Sequence, residues 1–301
     1  MNGVVNVKKE LGMTSHDVVY RLRKILSIKK IGHTGTLDPD ASGVLPICVG
    51  RATKVADMLT AKDKQYVAEI TLGFATDTLD ASGRVTERAE VNVSKEDIEK
   101  ALAEFVGEIE QIPPMYSAIK VDGKKLYELA REGKEIERKP RLVRIDSIEI
   151  LKLDLENNRL SVKVDCSKGT YIRTLCDDIG RYLGCFAHMS ALERTRSGRF
   201  SIEDAYTTDE IEEMFKSGDL SFFTEVDKVF EEYPKLIISG RKAALMCNGV
   251  RVSTQGITEG EIYRVYDEKN NFLTISQGEN GVLKILKTFY QTNVAEAKIN
   301  H

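Results

Sequence analysis

The stretch GHTGTLDPDASGVLP, residues 32–46, combines three glycines, one histidine and two aspartates in a loop-like segment. Pro39 fixes a backbone angle directly after Asp38 and removes a hydrogen-bond donor, so the loop is partly preset. The glycines leave room for the close approach of a ligand. These features indicate a binding loop that presents one carboxylate, and an ordinary surface turn is the alternative.

Other chemistries for this loop fit less well. A phosphate-binding P-loop needs a lysine after its last glycine, and none follows Gly35 or Gly43. Asp38 and Asp40 could form a magnesium-dependent phosphoryl-transfer pair, but the residues before them are polar and glycine-rich rather than a buried strand. A metal bound by His33 lacks a second histidine nearby. We therefore expect no metal site, and the aspartate pair stays open as an alternative.

Length and composition describe the class of protein. A chain of 301 residues predicts one large core and a smaller appended domain. With 42% hydrophobic and 30% charged residues, it is typical of globular proteins. No apolar run approaches the ~18 residues of a membrane span, and the first residues lack a signal peptide, which predicts a cytoplasmic protein without a membrane partner. The five scattered cysteines predict reduced thiols.

Charge is segregated along the chain although the net charge is only −3. Residues 1–62 carry ten Lys and Arg against five acids, and residues 120–144 carry nine against five. Residues 201–232 hold eleven acids and two lysines. The pattern predicts a basic face that suits nucleic-acid phosphates, and ordinary solvated faces are the alternative.

Apolar spacing, capping residues and turn signals predict alternating helices and strands. Helices are predicted within four stretches: 14–26, 52–60, 94–107 and 171–184. Strands are predicted at 66–74 and, joined by a turn at Asn157 and Asn158, within 142–167. A helix and linker are predicted over 201–232, short strands over 234–290, and a loose tail after them.

Four collinear segments resemble motifs of the TruB family of bacterial tRNA pseudouridine-55 synthases. In chain order these segments are GHTGTLDPDASGVLPICVGRATK, KDKQYVAEITLGFATDTLDASG, QIPPMYSAIKVDGKKLYELAREG and CSKGTYIRTLCDDIGRYLGCFAHMSALERTRSGRF. The motifs fall within residues 12–200 in the family's order. Glu10 stands where the family usually has a proline, in the first turn.

The resemblance implies an α+β fold. It comprises a catalytic domain over 1–232, with a mixed, mainly antiparallel sheet and flanking helices, a small β-rich PUA-like RNA-binding domain over 233–290, and a loose tail over 291–301. The implied activity is the isomerisation of uridine 55 to pseudouridine in the T-loop of tRNA, on a flipped-out nucleotide. The resemblance also implies that the enzyme needs no cofactor, binds the T-arm of tRNA, and acts as a monomer without an obligate protein partner. It further implies that the enzyme assists tRNA folding. A non-catalytic RNA-binding protein of the same fold is the alternative.

The resemblance also implies the residues of the reaction. Asp38 matches the nucleophilic aspartate of the family, and Arg173 matches the arginine that pairs with it and keeps it ionised. Tyr66 matches the residue that stacks on the target base, and its phenol is a candidate base for the proton lost, with water as the alternative.

Further residues are implied as substrate contacts and supports. Tyr171 and Leu192 match positions that line the uracil pocket. His33 matches a side chain that enters the T-loop and fills the gap left by the extruded nucleotide. Asp80 falls on an acidic position near the active site, either as support or in direct contact. His188 is expected to be structural.

Overall fold

The structure, a computed structural model, describes residues 1–117, 119–121 and 123–290, and the predicted tail over 291–301 lies outside them. The strands, β1 to β19 in chain order, are Gly3–Lys9, Ile31–His33, Ala41–Val49, Lys64–Leu72, Phe74–Thr76, Val85–Arg88, Gly107–Gln111, Lys120–Val121, Lys124–Lys125, Arg141–Asp154, Arg159–Cys166, Ala187–Ser197, Phe200–Ser201, Phe223–Glu225, Lys235–Ile238, Val252–Ser253, Ile262–Asp267, Phe272–Glu279 and Val282–Thr288. The helices, α1 to α8, are Ser15–Leu26, Ala56–Thr60, Lys95–Glu104, Leu126–Arg131, Ile172–Tyr182, Thr208–Ser217, Val226–Val229 and Gly240–Cys247.

Local capping explains where the predicted helices begin. The Thr14 hydroxyl accepts a hydrogen bond from the Asp17 backbone N–H at 3.1 Å, and the Asp17 carboxylate accepts one from the Thr14 N–H at 2.8 Å. Ser94 and Asp97 form the same reciprocal cap before α3. Such caps satisfy N–H groups that the first helical turn leaves unpaired. The predicted helix over 52–60 is instead a 3₁₀ turn, Gly50–Val55, followed by α2.

Ten strands within the described residues form one mixed sheet. Its order is β14–β1–β3–β12–β4–β11–β10–β7, with β2 beside β3 and β13 beside β12. All of these pairs are antiparallel except β3 with β12, which confirms the predicted mainly antiparallel sheet. Helix α5 packs its apolar face on the sheet, with Ile172, Leu175 and Ile179 buried against strand residues.

A second sheet follows in chain order and packs on the first. It has five strands in the order β15–β17–β18–β19–β16, which fits the prediction of short strands over 234–290. Val4 and Val44 of the large sheet lie in one buried cluster with Ile275 of the small sheet. The guanidinium of Arg51 donates hydrogen bonds to the carbonyls of Phe289 and Tyr290 at 2.6 and 2.8 Å. The two sheets therefore share a continuous apolar core.

Further elements lie where the sequence analysis predicted a different structure or none. The segment over 201–232 was predicted as a helix and linker, but it also contains β14, which extends the large sheet beside β1. Helix α8 was not predicted, because its eight residues lie among strand and turn signals. The turn at Asn157 and Asn158, by contrast, lies where it was expected, between β10 and β11, and Asn158 has a left-handed φ of 55°.

All five cysteines are free, and four of them are buried. Among the helices that the structure describes, none has the length and apolarity needed to cross a membrane.

Gly43 in β3 lies directly against the backbone of Arg194 in β12. Its φ is +106°, and a Cβ there would lie 2.2 Å from the carbonyl oxygen of Arg194. We expect Gly43→Ala to lower the free energy of unfolding by about 3 kcal/mol, because it adds backbone strain and a clash with backbone. Chemical denaturation measures this. Gly32→Ala is the control, since nothing lies within 4 Å of its Cβ and we expect a change below about 1 kcal/mol; equal losses in the two variants would contradict the prediction.

Candidate active site

The loop that carries Asp38 lies between β2 and β3 and is fixed on both sides of this residue. The backbone N–H of Leu37 donates to the Ser15 hydroxyl at 2.9 Å, and that hydroxyl donates back to the Leu37 carbonyl at 3.1 Å. On the other side, the Gly12 N–H donates to the Pro39 carbonyl at 2.9 Å. The position of Asp38 is therefore set by α1 and the turn before it.

A buried lysine in the neighbouring strand β1 binds the same loop. Lys9 is fully buried in β1, and its ammonium donates to three carbonyls, those of Met13 at 2.6 Å, Glu10 at 3.0 Å and Pro39 at 3.4 Å. Burial lowers its pKa to about 8, and the nearby carboxylate of Asp38 acts against this shift. Sequence reasoning did not assign this residue to the site.

Arg173 joins two carboxylates at the start of α5. Its Nη2 lies 3.0 Å from Asp38 Oδ2, and its Nη1 lies 3.4 Å from Asp80 Oδ2. The same guanidinium donates to the carbonyls of Tyr116 at 2.8 Å and Thr78 at 3.2 Å. Because Arg173 is only 6% exposed, these partners hold one orientation of the guanidinium.

Asp38 lies in a recess, where two opposing effects act on its carboxyl group. About 43% of its side-chain surface is open to solvent, on the side that faces the cavity. Removal of the other side from water raises the pKa of Asp38, and the positive charge of Arg173 lowers it again in part. The carboxylate is thus less hydrated than a surface aspartate, and it is oriented by its partner.

The cavity above Asp38 has a volume of about 560 Å³, within the usual range of ligand pockets. It lies between the Asp38 loop, the centre of the large sheet and the N-terminus of α5. Its lining includes Asp38, Tyr66, Arg141, Lys168, Tyr171, Arg173, Leu192 and Arg194. Five of the predicted residues, Asp38, Tyr66, Tyr171, Arg173 and Leu192, are therefore brought together in one cavity.

Tyr66 forms part of the cavity wall in β4. Burial raises the pKa of its phenol, so the hydroxyl keeps its proton at neutral pH. It is the register partner of Arg194 in β12, a side chain only 2% exposed. Arg194 donates to the carbonyl of Val44 at 2.7 Å and that of Thr36 at 3.4 Å, so it ties β3 and the loop that carries Asp38 to β12. The sequence analysis did not identify Arg194.

Tyr171 and Leu192 complete the apolar part of the wall. The backbone N–H of Tyr171 donates to the Gln111 side chain at 3.0 Å, and the Gln111 amide donates back to the Tyr171 carbonyl at 3.3 Å. Leu192 in β12 lies in register with Ala41 and Ala68, two small residues on the neighbouring strands. Small neighbours leave the leucine side chain partly open to the cavity.

Three other residues singled out in the sequence lie outside this lining. His33 is in β2, and its ring centroid is 5.5 Å from that of His16. Asp80 reaches the site only through Arg173. His188 is buried against Phe74, to whose carbonyl its ring lies within hydrogen-bond distance at 3.3 Å. Among the residues with described positions, no three His, Cys, Asp or Glu side chains converge as a metal-binding group would.

Comparison with known proteins identifies the class. The family model of the TruB pseudouridylate synthase N-terminal domain matches residues 23–172, and that of the tRNA pseudouridylate synthase B C-terminal domain matches residues 173–229. The second of these ranges covers α5 and the β12 to β14 strands of the large sheet.

Relatives extend the match over nearly the whole chain. A tRNA pseudouridine synthase B of Bacillus cytotoxicus is 47% identical over 297 residues, covering 95% of this chain and 97% of the relative. That of Clostridioides difficile is 44% identical, covering 93% and 92%. Among solved structures, a Cbf5–Nop10–Gar1 complex is similar with a TM-score of 0.72 at 29% identity, covering 96% of this chain and 85% of that chain.

The fold and the matches define a pseudouridine synthase, an isomerase that converts uridine in RNA to pseudouridine. Within this class of enzymes, the chain belongs to the TruB family.

Lys9 generates a prediction about stability and pH. Its pKa is about 8 in the folded chain against 10.5 without the fold, so between these values the unfolded chain holds a proton that the folded chain has released. The free energy of unfolding therefore rises with pH between these two pKa values. We expect the wild type to gain stability relative to Lys9→Met from pH 8 to 10.5, by no more than about 3 kcal/mol. Urea denaturation at several pH values measures this.

Lys8→Met, at the exposed position next to Lys9 in the same strand, is the matched control for the loss of one charge. A parallel pH dependence of the wild type and Lys9→Met would contradict the prediction.

Proposed function

We propose that Asp38 is the nucleophile with which this enzyme isomerises uridine 55 of tRNA to pseudouridine. The observation that carries the proposal is the ion pair of Asp38 with Arg173 at 3.0 Å, on the wall of a cavity of about 560 Å³. A carboxylate held in one orientation beside space for a nucleotide is what attack on a sugar carbon requires. Relatives named tRNA pseudouridine synthase B support tRNA as the substrate.

The reaction is balanced without a cofactor. An oxygen of Asp38 bonds to C1′ of the ribose as the N1–C1′ bond breaks, and the electron pair leaves with the uracil. The base turns, C5 attacks C1′, and the bond to Asp38 breaks, which restores the carboxylate. A proton then leaves C5 and another is gained at N1. Substrate and product are isomers, so nothing is oxidised or hydrolysed.

The cavity wall supplies what the uracil needs while it turns. The ring of Tyr66 offers a stacking surface, and its protonated hydroxyl offers a hydrogen-bond donor. Leu192 and Tyr171 bound the space from other directions. We propose that Tyr66 stacks on the target base and that a water receives the proton from C5, since the phenol keeps its own proton. The alternative base is the phenolate of Tyr66, which would first have to lose that proton.

Arg173 and Asp80 are positioning residues in this proposal. Arg173 orients the carboxylate of Asp38 and favours its ionised form against desolvation. Asp80 holds the other nitrogen of the same guanidinium at 3.4 Å. Two anchors at different nitrogens restrict rotation of the guanidinium, so the direction of attack is fixed.

Binding of the tRNA involves more of the surface. We propose that the basic residues of 1–62 and 120–144 bind phosphates of the T-arm, and that His33 enters the T-loop beside the extruded uridine. In the same proposal residues 1–232 form the catalytic domain, and 233–290 form a PUA-like RNA-binding domain. Five strands and a short helix over this second range support a compact module.

We further propose that the enzyme acts as a cytoplasmic monomer and assists tRNA folding while it binds. Asp38, Arg173, Tyr66, Tyr171 and Leu192 meet within one chain, which supports a monomeric site. A location in the cytoplasm follows from the tRNA substrate.

Asp38→Asn tests the nucleophile. With an unmodified tRNA transcript tritiated at uracil C5, we expect the wild type to release tritium from uridine 55 and the variant to lose at least about 10³-fold in rate, because an amide is not a nucleophile here. tRNA binding by the variant should remain within roughly tenfold of the wild type.

Asp40→Asn is the matched control, since Asp40 is exposed and lies in the same loop. It should release tritium at nearly the wild-type rate. Normal release by Asp38→Asn would overturn the assignment. An absolute need for magnesium in the chemical step, with both aspartates essential, would favour phosphoryl-transfer chemistry instead.

Arg173→Met tests how the carboxylate is kept ionised. Burial raises the pKa of Asp38 and Arg173 opposes this, so the pKa of Asp38 should rise further without the guanidinium. The active form is deprotonated, so the acid limb of kcat/KM should move to higher pH, with a lower plateau. Single-turnover rates from pH 5 to 8 measure this, with a thermal melt to show folding. An acid limb at the wild-type position would contradict it.

A further inference from the structure

The cavity of the active site is strongly cationic. Among the described residues that line it, five are basic, namely Lys64, Arg141, Lys168, Arg173 and Arg194, whereas Asp38 is the one acidic residue. An excess of positive charge in a recess raises the local concentration of anions. The substrate of the proposed function contributes a phosphate on each side of the target nucleotide.

Three of these five cations are already committed to protein acceptors. Arg173 is occupied by carboxylates and carbonyls. Arg194 donates from Nε and Nη1 to the carbonyls of Val44 and Thr36, and its Nη2 is buried away from solvent. The Lys64 ammonium donates to the carbonyls of Thr60, at 2.7 Å, and Lys62. All three side chains are less than 9% exposed. They shape the site but have little capacity for a phosphate at its mouth.

Arg141 and Lys168 differ from the other three. Both are exposed, and in the part of the chain that the structure describes their side chains form no ion pair and no hydrogen bond. Lys168 is close enough to Lys64 that its charge lowers the pKa of that group. Like charges held together without an anion are unfavourable, and a bound phosphate would relieve this.

The backbones that carry the two cations are held firmly. Arg141 begins β10 and is in register with Gln111, whose side chain holds both backbone groups of Tyr171. Lys168 follows Ser167, which exchanges two hydrogen bonds with the backbone of Arg144, at 2.8 and 2.9 Å. Both cations thus have fixed starting points beside the uracil wall, while their long side chains stay free to adjust.

We propose that Arg141 and Lys168 bind the two phosphates that flank the target uridine, one cation to each phosphate. This inference rests on the proposed function, since it needs a nucleotide in the cavity. Backbone contacts of this kind fix the register of the RNA without reading its sequence. They hold the strand at the mouth, so the uridine between the phosphates is presented to Asp38.

The test uses Arg141→Gln and Lys168→Gln in the full chain with a synthetic T-arm stem–loop RNA. We expect each variant to raise KM roughly fivefold, with kcat within about twofold, because a phosphate contact is made equally in the ground and transition states. The slope of log affinity against log salt should fall by about 0.7 for each variant. Arg141→Lys should restore most of the affinity.

Lys152→Gln is the matched control. It removes an exposed cation from the same strand, β10, eleven residues along and about 36 Å from Arg141. It should leave KM and the salt slope unchanged.

Neutral RNA linkages provide the decisive measurement. A methylphosphonate linkage carries no charge. In place of the phosphate on one side of the uridine, it should abolish the rise in KM caused by Arg141→Gln, and in place of the phosphate on the other side it should abolish the rise caused by Lys168→Gln. The inference would be overturned if both variants still raised KM with both neutral RNAs, or if they left KM and the salt slope unchanged as Lys152→Gln does. Tritium release by the wild type tests the proposed function separately: wild-type release with silent variants defeats only the phosphate contacts.

Discussion

The guanidinium of Arg173 is the interaction on which the site depends. It is buried at the start of α5 and bound by two carboxylates and two carbonyls that come from separate loops of the chain. A buried charge is costly unless all its donors are engaged, so the loops of Asp38, Asp80 and Tyr116 are drawn to one point. The same side chain that assembles the site also lowers the pKa of the Asp38 carboxyl group, against the larger effect of burial.

A second constraint comes from Gly43, which lies between two buried cations. It is in register with Lys9 on β1 and with Arg194 on β12. Both cations donate to carbonyls of the loop that carries Asp38 or of β3. Because Gly43 has no side chain, β1, β3 and β12 can lie close together at this point. The charged groups of Lys9 and Arg194 then bind the Asp38 loop to the sheet. The position of Asp38 thus depends on the centre of the sheet as well as on the loop itself.

The resemblance to the TruB motifs predicted the residues with chemistry, and periodicity predicted many of the helices and strands. Asp38, Tyr66, Tyr171, Arg173 and Leu192 meet in one cavity although they are scattered over 155 residues of sequence. Lys9 was missed, yet a signal was present: it continues the inward register of Val5 and Val7, so a charge there has to be buried. Arg194 and β14 gave no such signal, because their roles depend on strand pairings between distant segments.

The core shared by the two sheets has a consequence for how such an enzyme can evolve or be engineered. Val4 and Val44 pack in one cluster with Ile275, and Arg51 in the 3₁₀ turn after β3 binds the carbonyl of Phe289, which directly follows β19. Removing the last sixty residues would uncover apolar surface of the catalytic sheet, so the C-terminal sheet is not an exchangeable module. The shared core therefore sets the distance between any surface on the C-terminal sheet and Asp38. In the proposed function, a tRNA that contacts both sheets would have to match that distance.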